Sequence, residues 1–284
     1  MKYQGFVRKL KTALKENGLV QYQLPFYTDT DRNVELVELN SLIGRDIKIE
    51  NLGHINCISC GRKTKKSFAQ GYCYPCFTSL PQCDSCIMSP EKCHYQAGTC
   101  RDSQWGKDNC LIPHYVYLAR SSSVKVGITR GTQIPTRWMD QGAIQALPIV
   151  KVSQRYYSGL MEVIFKEHVS DRTSWQKMLK GEVSEADLYQ TREQLFNLCQ
   201  QSITNLLDEQ QIKPEDIELL NQETIIDINY PVEQYPAKVK SFNLDKLATA
   251  EGQLMGIKGQ YLILDTGVIN IRKYTAYQLG FSIS

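Results

Sequence analysis

Short apolar runs mark both ends of the chain, and longer helical patterns lie between them. Near the start, three runs predict β-strands: residues 5–7, 19–24 and 46–49. Near the end, two apolar runs flank an Asp-Thr-Gly turn sequence: residues 260–264 and 268–271. We predict that segments 1–53 and 231–284 pair into one small β-barrel or sandwich. Two independent hairpins packed on the core are the alternative.

The middle of the chain has a helical and acidic pattern over residues 159–222. Ser184 and Asp187 have the spacing of a capping box at a helix start. Beyond them, apolar residues recur at the spacing of one helix face: Leu195, Leu198, Cys199, Ile203, Leu206 and Leu207. We interpret Cys199 as a small core residue on this face.

Nine of the ten cysteines lie between positions 57 and 110. Two Cys-x2-Cys pairs, separated by twelve residues, have the spacing of a four-thiolate zinc site: Cys57, Cys60, Cys73 and Cys76. We therefore predict a zinc-ribbon-like, cysteine-rich module over residues 54–112. Zinc in such closed sites stabilises the fold and performs no chemistry, so the function must be sought elsewhere.

A second set of cysteines follows within the same module: Cys83, Cys86, Cys93, Cys100 and Cys110. Together with His94 they offer six ligands for a site that needs four. A second zinc ion is the leading interpretation. An iron–sulfur cluster also takes four thiolates, so it is the alternative to zinc at this second site. A single zinc site with spare buried thiols is the third interpretation.

Composition and charge narrow the setting of this module. The chain of 284 residues has 42% hydrophobic residues, which is ordinary for a globular protein. It has neither a membrane-length apolar run nor a signal peptide pattern, so we expect a cytoplasmic protein with reduced thiols. A secreted disulfide protein is the alternative. The formal charge is +3, yet residues 55–137 carry eleven Lys/Arg and four Asp/Glu. Such an excess is typical of a phosphate-binding surface.

Part of this excess of positive charge lies in the loop between the two Cys-x2-Cys pairs of the first site. Four cations occupy that loop and would grip a nucleic-acid backbone: Arg62, Lys63, Lys65 and Lys66. Arg130 adds a further cation downstream. A merely solvated loop is the simpler alternative for the four.

A different pattern begins directly after Cys110. Tyr115-Val116-Tyr117 and Lys125-Val126-Gly127 lie in two apolar runs that predict a β-hairpin. A glycine inside the second strand predicts that another group approaches the backbone closely there. Arg137 follows Pro135 at a predicted helix start, and Glu162 lies in a later helical run.

These motifs resemble the GIY-YIG nuclease superfamily, in a form closer to its phage-type branch. In that superfamily a hairpin carries two short motifs, one helix supplies an arginine and a later helix supplies a metal-binding glutamate. The resemblance implies a GIY-YIG-like α/β domain over residues 113–230, which includes the acidic helical extension. It also implies five catalytic residues: Tyr115, Tyr117, Lys125, Arg137 and Glu162. Lys125 stands where the second motif has a tyrosine. The whole chain also resembles an uncharacterised bacterial family with a cysteine-rich module before such a domain.

The cysteine spacing and the resemblance together predict a zinc-stabilised α+β protein that binds DNA or RNA. The resemblance implies that it hydrolyses phosphodiesters with Mg²⁺ or Mn²⁺. Arginine offers a planar fork that suits phosphate oxygens, and magnesium commonly binds through one or two carboxylates. A catalytically inactive DNA- or RNA-binding module with the same hairpin is the first alternative. An iron–sulfur protein is the second.

Overall fold

The computed structural model describes residues 1–28, 33–172 and 174–284. Its strands are β1 Lys2–Val7, β2 Lys11–Leu14, β3 Val20–Tyr27, β4 Val34–Glu38, β5 Asp46–Ile55, β6 His114–Arg120, β7 Val124–Arg130, β8 Gln145–Val152, β9 Ile217–Leu219, β10 Ile226–Asp227, β11 Thr249–Lys258, β12 Tyr261–Leu264, β13 Gly267–Asn270 and β14 Tyr277–Ile283. Its α-helices are α1 Tyr74–Ser79, α2 Ser103–Asn109, α3 Thr136–Asp140, α4 Arg155–Phe165, α5 Trp175–Leu179 and α6 Leu188–Glu209.

The strands from both ends of the chain form one antiparallel sheet, as predicted. Among the described residues its order is β13-β12-β11-β5-β14-β1-β3-β2, with β4 paired to β3. β14 alternates buried and half-buried positions, so every second side chain faces the core. The path ends at β13 and β2, and the sheet curls into a half-barrel instead of closing. The pairing of β1 with β14 excludes two independent hairpins.

The predicted hairpin belongs to a second antiparallel sheet with the order β10-β8-β6-β7, and β9 also pairs with β8. One face of this sheet packs on α4 and α6 through Val116 and Leu118. On the opposite face, Tyr117 and Trp138 join the core of the half-barrel. The hairpin therefore lies between helices and the half-barrel, and both faces of its first strand are buried.

The helical pattern of the middle segment is shorter than predicted. The carboxylate of Asp187, not Ser184, caps α6 by accepting a hydrogen bond from the Gln190 amide at 2.9 Å. α6 ends at Glu209, and β9 occupies part of the stretch expected to be helical. Leu198 is 62% exposed and lies outside the buried stripe of α6, which includes Leu195, Cys199 and Ile203. No helix in the described ranges is long and apolar enough to cross a membrane.

Lys258 in β11 is an unusual buried cation, since only 1% of its surface is exposed. Its ammonium lies 5.5 Å from the ring centre of Tyr230 and 5.2 Å from that of Tyr235. It takes part in no salt bridge within the described residues. Burial lowers the pKa of Lys258 from 10.5 to about 8.

We expect Lys258→Met to raise the free energy of unfolding by about 1–3 kcal/mol at pH 7, because burying an unpaired charge costs more than the two tyrosine rings return. The penalty is complete below pH 8, where Lys258 is charged in both states. It fades between pH 8 and 10.5 as the folded protein avoids the charged form. Urea unfolding of the native protein and the variant at pH 7 and at pH 10.5 measures the penalty and its loss at high pH. Equal stability of the two proteins at pH 7 would contradict this expectation.

Candidate functional site

The first cysteine cluster consists of Cys57, Cys60, Cys73 and Cys76, whose sulfur atoms all lie within 4.8 Å of one another. Cys57 follows β5, a turn closed by the Gly61 amide leads past Cys60, and Cys73 precedes α1. The sulfurs of Cys60 and Cys73 are 3.7 Å apart. Ligands at 2.3 Å around a tetrahedral zinc ion are separated by about 3.8 Å. The cluster can therefore hold a metal ion such as zinc.

The electrostatics of this cluster favour a bound cation. Burial disfavours the Cys57 thiolate, but the amides of Cys60, Cys73 and Ser59 donate to its sulfur and lower its pKa to about 6. Burial and hydrogen bonds to the neighbouring sulfurs raise the pKa of Cys76 to about 12. One thiolate therefore suppresses the ionisation of another at close range, so four thiolates coexist here only around a positive ion.

The loop between the two pairs carries the predicted basic residues on its surface. Arg62, Lys63, Lys65 and Lys66 are all exposed. The Lys66 ammonium lies 5.2 Å from the ring centre of Phe68. None of the four takes part in a salt bridge within the described part of the chain. Their charges are thus free to contact an external polyanion.

A cavity of about 390 Å³ opens between β7, α3, α4 and the segment around Met88. Four residues predicted from the sequence line it: Lys125, Arg130, Arg137 and Glu162. Five charged residues that the sequence did not suggest also line it: Lys9, Asp140, Arg155, Asp171 and Arg272. We call this space the basic cavity, because six Lys/Arg and three Asp/Glu side chains face it.

Lys125 and Glu162 are unusual among these groups because both are largely buried beside one another's charge. Burial, and then the positive charge of Arg137, lower the pKa of Lys125 to about 8. Burial raises the pKa of Glu162, Lys166 opposes that rise, and Asp171 adds to it. A carboxylate that is disfavoured as an anion next to a second carboxylate gains from a bound cation.

Tyr117 lies behind the basic cavity and is fully buried. Its hydroxyl donates to Gln141 Oε1 at 2.8 Å and is also hydrogen-bonded to the Arg137 side chain. Burial raises the pKa of Tyr117, while Arg137 lowers it. A Cβ added at Gly127 would lie 2.8 Å from this hydroxyl, so the close approach predicted at Gly127 is that of Tyr117. Tyr117 therefore orients Arg137 and Gln141 and does not face solvent.

Tyr115 occupies a different place from the other predicted catalytic residues. Its ring lies near Gly131, where an added Cβ would be 3.1 Å away. It is half-buried and does not border the basic cavity within the described residues. The structure therefore brings together Lys125, Arg137 and Glu162, with Tyr117 behind them, and leaves Tyr115 outside.

Both cysteine regions reach the rim of the basic cavity. Arg272 lines the cavity and donates from Nε to Gln70 Oε1 at 2.5 Å, in the loop that precedes Cys73. From the second cysteine set, Ile87 and Met88 line the opposite side. The second half of the cysteine-rich module and the hairpin thus form part of the cavity wall, and the first half is connected to that wall through Arg272.

Four of the five cysteines in the second set surround one small space of about 20 Å³: Cys86, Cys93, Cys100 and Cys110. Cys83, which we predicted as a metal ligand, does not border this space within the described residues. The sulfurs of this set are more widely spaced than those of the first cluster. Of these five cysteines, only Cys86 falls in a group of potential ligands within 4.8 Å in the described part of the chain, together with Asp84 and His94.

Comparison with known proteins gives one match. Residues 44–279 match the model of a family described as "Protein of unknown function (DUF2797)". No curated protein and no solved structure matches the chain. Because the family model spans 236 of the 284 residues, the chain belongs to the DUF2797 family of proteins of unknown function.

Proposed function

We propose that this protein is a divalent-metal-dependent phosphodiester hydrolase that acts on nucleic acid, and that zinc occupies its first cysteine cluster. The observation that carries the proposal is the convergence of Lys125, Arg137 and Glu162 in the basic cavity. Phosphodiester hydrolysis needs cations for the charge that develops on the phosphorus oxygens and a site for a divalent ion. The proposal places it in a reducing compartment such as the cytoplasm, where thiols remain available for zinc.

The charge distribution in the basic cavity supports binding of a phosphodiester. Lys9 and Asp140 form an ion pair at 2.5 Å and largely neutralise each other. Five cations and two carboxylates remain to face the cavity. Arg137 can offer its planar fork to two phosphate oxygens, and Arg130 and Arg272 add positive potential. This excess favours an anionic substrate over a neutral one.

Glu162 and Asp171 are the two carboxylates that would hold Mg²⁺ or Mn²⁺. Oxygen ligands suit these ions, which commonly use one or two carboxylates together with water and substrate phosphates. When bound, such an ion would polarise a phosphoryl oxygen and help to ionise a water molecule. Asp171 was not predicted from the sequence, and it adds a second negative charge beside Glu162.

Lys125, at the position of the second-motif tyrosine, acts in this proposal as a charge. Its side chain is nearly buried, and it is half-protonated near pH 8. Below that pH the ammonium attracts a phosphate oxygen without the directional fork of arginine. The element order also supports the resemblance to GIY-YIG nucleases, because the hairpin β6–β7 is followed by Arg137 on α3 and Glu162 on α4.

The exposed loop of the first cysteine cluster extends the proposed binding surface. Arg62, Lys63, Lys65 and Lys66 would contact backbone phosphates of a bound strand beyond the cavity. The link between Gln70 and Arg272 connects this loop to the cavity rim. A polymer therefore fits this distribution of charge better than a mononucleotide.

The test is cleavage of labelled single- and double-stranded DNA and RNA with Mg²⁺ or Mn²⁺. We expect Glu162→Gln to slow cleavage by about 10²-fold or more, the size of effect seen when one electrostatic contact to a transition state is lost. Glu167→Gln is the matched control, because Glu167 is exposed just beyond the same helix and does not line the cavity.

The outcomes separate this proposal from its alternatives. Cleavage that depends on a divalent ion and on Glu162, but not on Glu167, supports the hydrolase. Retained binding with no cleavage of any of the four substrates would replace it by a catalytically inactive binding module. Absorption near 400 nm together with bound iron would instead support an iron–sulfur protein.

A further inference from the structure

Four cysteine side chains converge on the small space between α2 and the segment that precedes it. The space measures about 20 Å³ and is bordered by Cys86, Cys93, Cys100 and Cys110. A volume of this size holds one water-sized sphere, and a single metal ion needs no more. Three of these cysteines are half-buried and Cys110 is buried.

We propose that Cys86, Cys93, Cys100 and Cys110 bind a second structural zinc ion and that Cys83 does not. Six residues separate Cys86 from Cys93, six separate Cys93 from Cys100, and nine separate Cys100 from Cys110. The site is therefore not built from a second pair of Cys-x2-Cys motifs. Four thiolates in tetrahedral arrangement are common ligands of structural zinc.

A competing set of ligands consists of Asp84, Cys86 and His94, which lie closer together. The Asp84 carboxylate is already engaged, because Arg101 Nε lies 2.8 Å from its Oδ2. A divalent ion at that oxygen would face the positive guanidinium directly, which is unfavourable. His94 is held on both ring nitrogens, since Nε2 lies 3.4 Å from the Asp84 carboxylate and Nδ1 lies 2.8 Å from the Thr99 hydroxyl.

These three polar residues instead brace the site from outside. Arg101 also donates from Nη1 to the carbonyl oxygens of Phe77 and Leu80, at 3.2 and 3.0 Å. It thereby links Asp84 to the end of α1, which follows the first cysteine cluster. Polar side chains that hold neighbouring segments in place are typical around structural zinc sites.

Cys83 is set apart from these four cysteines by its position, since it does not border the small space within the described residues. Cys83 closes a short 3₁₀ turn from Pro81, and the Leu80 carbonyl accepts from its amide at 3.1 Å.

The proposed site also holds the helix that carries Glu162. The Arg155 amide at the start of α4 donates to the Cys110 carbonyl at 2.7 Å, and its Nη2 donates to the Ile87 carbonyl at 2.6 Å. One turn later, a Cβ added at Gly159 would lie 2.6 Å from the Glu91 amide. α4 is thus packed directly on the backbone between Cys86 and Cys93. Any positioning of Glu162 by this zinc rests on the proposed function, whereas the metal site itself does not.

The test is the metal content of the full-length protein, measured by inductively coupled plasma mass spectrometry in the absence of nucleic acid. We expect two equivalents of zinc in the native protein. Cys100→Ser and Cys93→Ser should each retain one, because three thiolates hold zinc far less tightly than four. Cys83→Ser is the matched control and should retain two, as should Asp84→Asn and His94→Gln.

Loss of one equivalent in Cys83→Ser, Asp84→Asn or His94→Gln would overturn the assignment of ligands. Two equivalents retained in Cys100→Ser would do the same, and iron in place of the second zinc would overturn the choice of metal. For variants that fail to fold, Co²⁺ exchange into the native protein is the second measurement. Two Co²⁺ ions with the charge-transfer absorption of four thiolates support the proposal, and only one such ion would overturn it. All these results are independent of whether the protein cleaves nucleic acid.

Discussion

Cys76→Ser should lose the metal of the first cysteine cluster and lower the melting temperature by about 10 °C or more. Structural zinc contributes an apparent 10–16 kcal/mol in small zinc modules, which is comparable to the whole stability of a domain. Cys76 is only half-buried, so its replacement leaves a small packing defect. The main loss is therefore that of the ion.

The destabilisation should spread beyond the module because the module is tied to the half-barrel. The Ser67 hydroxyl donates to the Thr275 carbonyl at 3.1 Å, and the Asn56 amide donates to the Ala276 carbonyl at 3.0 Å. Differential scanning calorimetry and metal analysis of the same preparation measure both effects. Cys199→Ala is the control, because Cys199 is a fully buried core thiol outside both cysteine regions. If Cys76→Ser left both the melting temperature and the metal content unchanged, the expected role of this metal site in stability would be wrong.

Arg137→Ala should reduce divalent-metal-dependent cleavage by about 10³-fold, the lower end of the effect of an arginine that stabilises phosphoryl transfer. Arg137 lines the basic cavity and is hydrogen-bonded to Tyr117. Trp138, the next residue, is fully buried with its ring centre 5.8 Å from that of Tyr117, which fixes α3. The guanidinium is therefore held in place before substrate binds.

Two further variants show whether charge or geometry is responsible. Arg137→Lys should recover only part of the rate, because an ammonium cannot bind two phosphate oxygens with a planar fork. Lys180→Ala removes one exposed positive charge away from the cavity and should leave the rate unchanged. Single-turnover rates at saturating protein separate this effect from weaker binding. Equal rates in Arg137→Ala and the native protein would exclude Arg137 from the reaction.

Sequence patterns predicted those features that depend on neighbouring residues. The first cysteine cluster forms where its two Cys-x2-Cys pairs predicted it, because each pair needs only a local turn. The terminal strands were predicted because alternation along a strand is a local signal. Gly127 signalled a close approach within one hairpin, and its partner Tyr117 lies directly opposite.

Features that depend on distant parts of the chain could not be predicted in this way. Lys9, Asp171 and Arg272 reach the basic cavity only through the packing of both sheets, and nothing around them in sequence marks them. The curl of the half-barrel also emerges from the full strand order. Cys83 shows how far a local rule reaches, because it shares a Cys-x2-Cys spacing with Cys86 but, within the described residues, does not border the small space that Cys86 lines.

The end of α6 is a further case. The sequence predicts a helical segment up to residue 222, but Gln211 adopts a left-handed backbone conformation with φ of +50°. The chain then reverses, and Ile212 is buried, with 5% of its surface exposed. Apolar spacing cannot distinguish a residue buried by a continuing helix from one buried by a chain reversal.

The position of β14 has a consequence for the order in which the molecule can assemble. This strand lies in the interior of the sheet, between β5 and β1, yet it is synthesised after the thirteen other strands that the structure describes. Until it emerges from the ribosome, β1 and β5 each lack a neighbour and expose open hydrogen-bonding edges. Such long-range pairing is slow and leaves nascent chains prone to aggregation. The cysteine-rich module, built from contacts close in sequence, can fold before β14 is made and can hold the end of β5 in place for pairing with it.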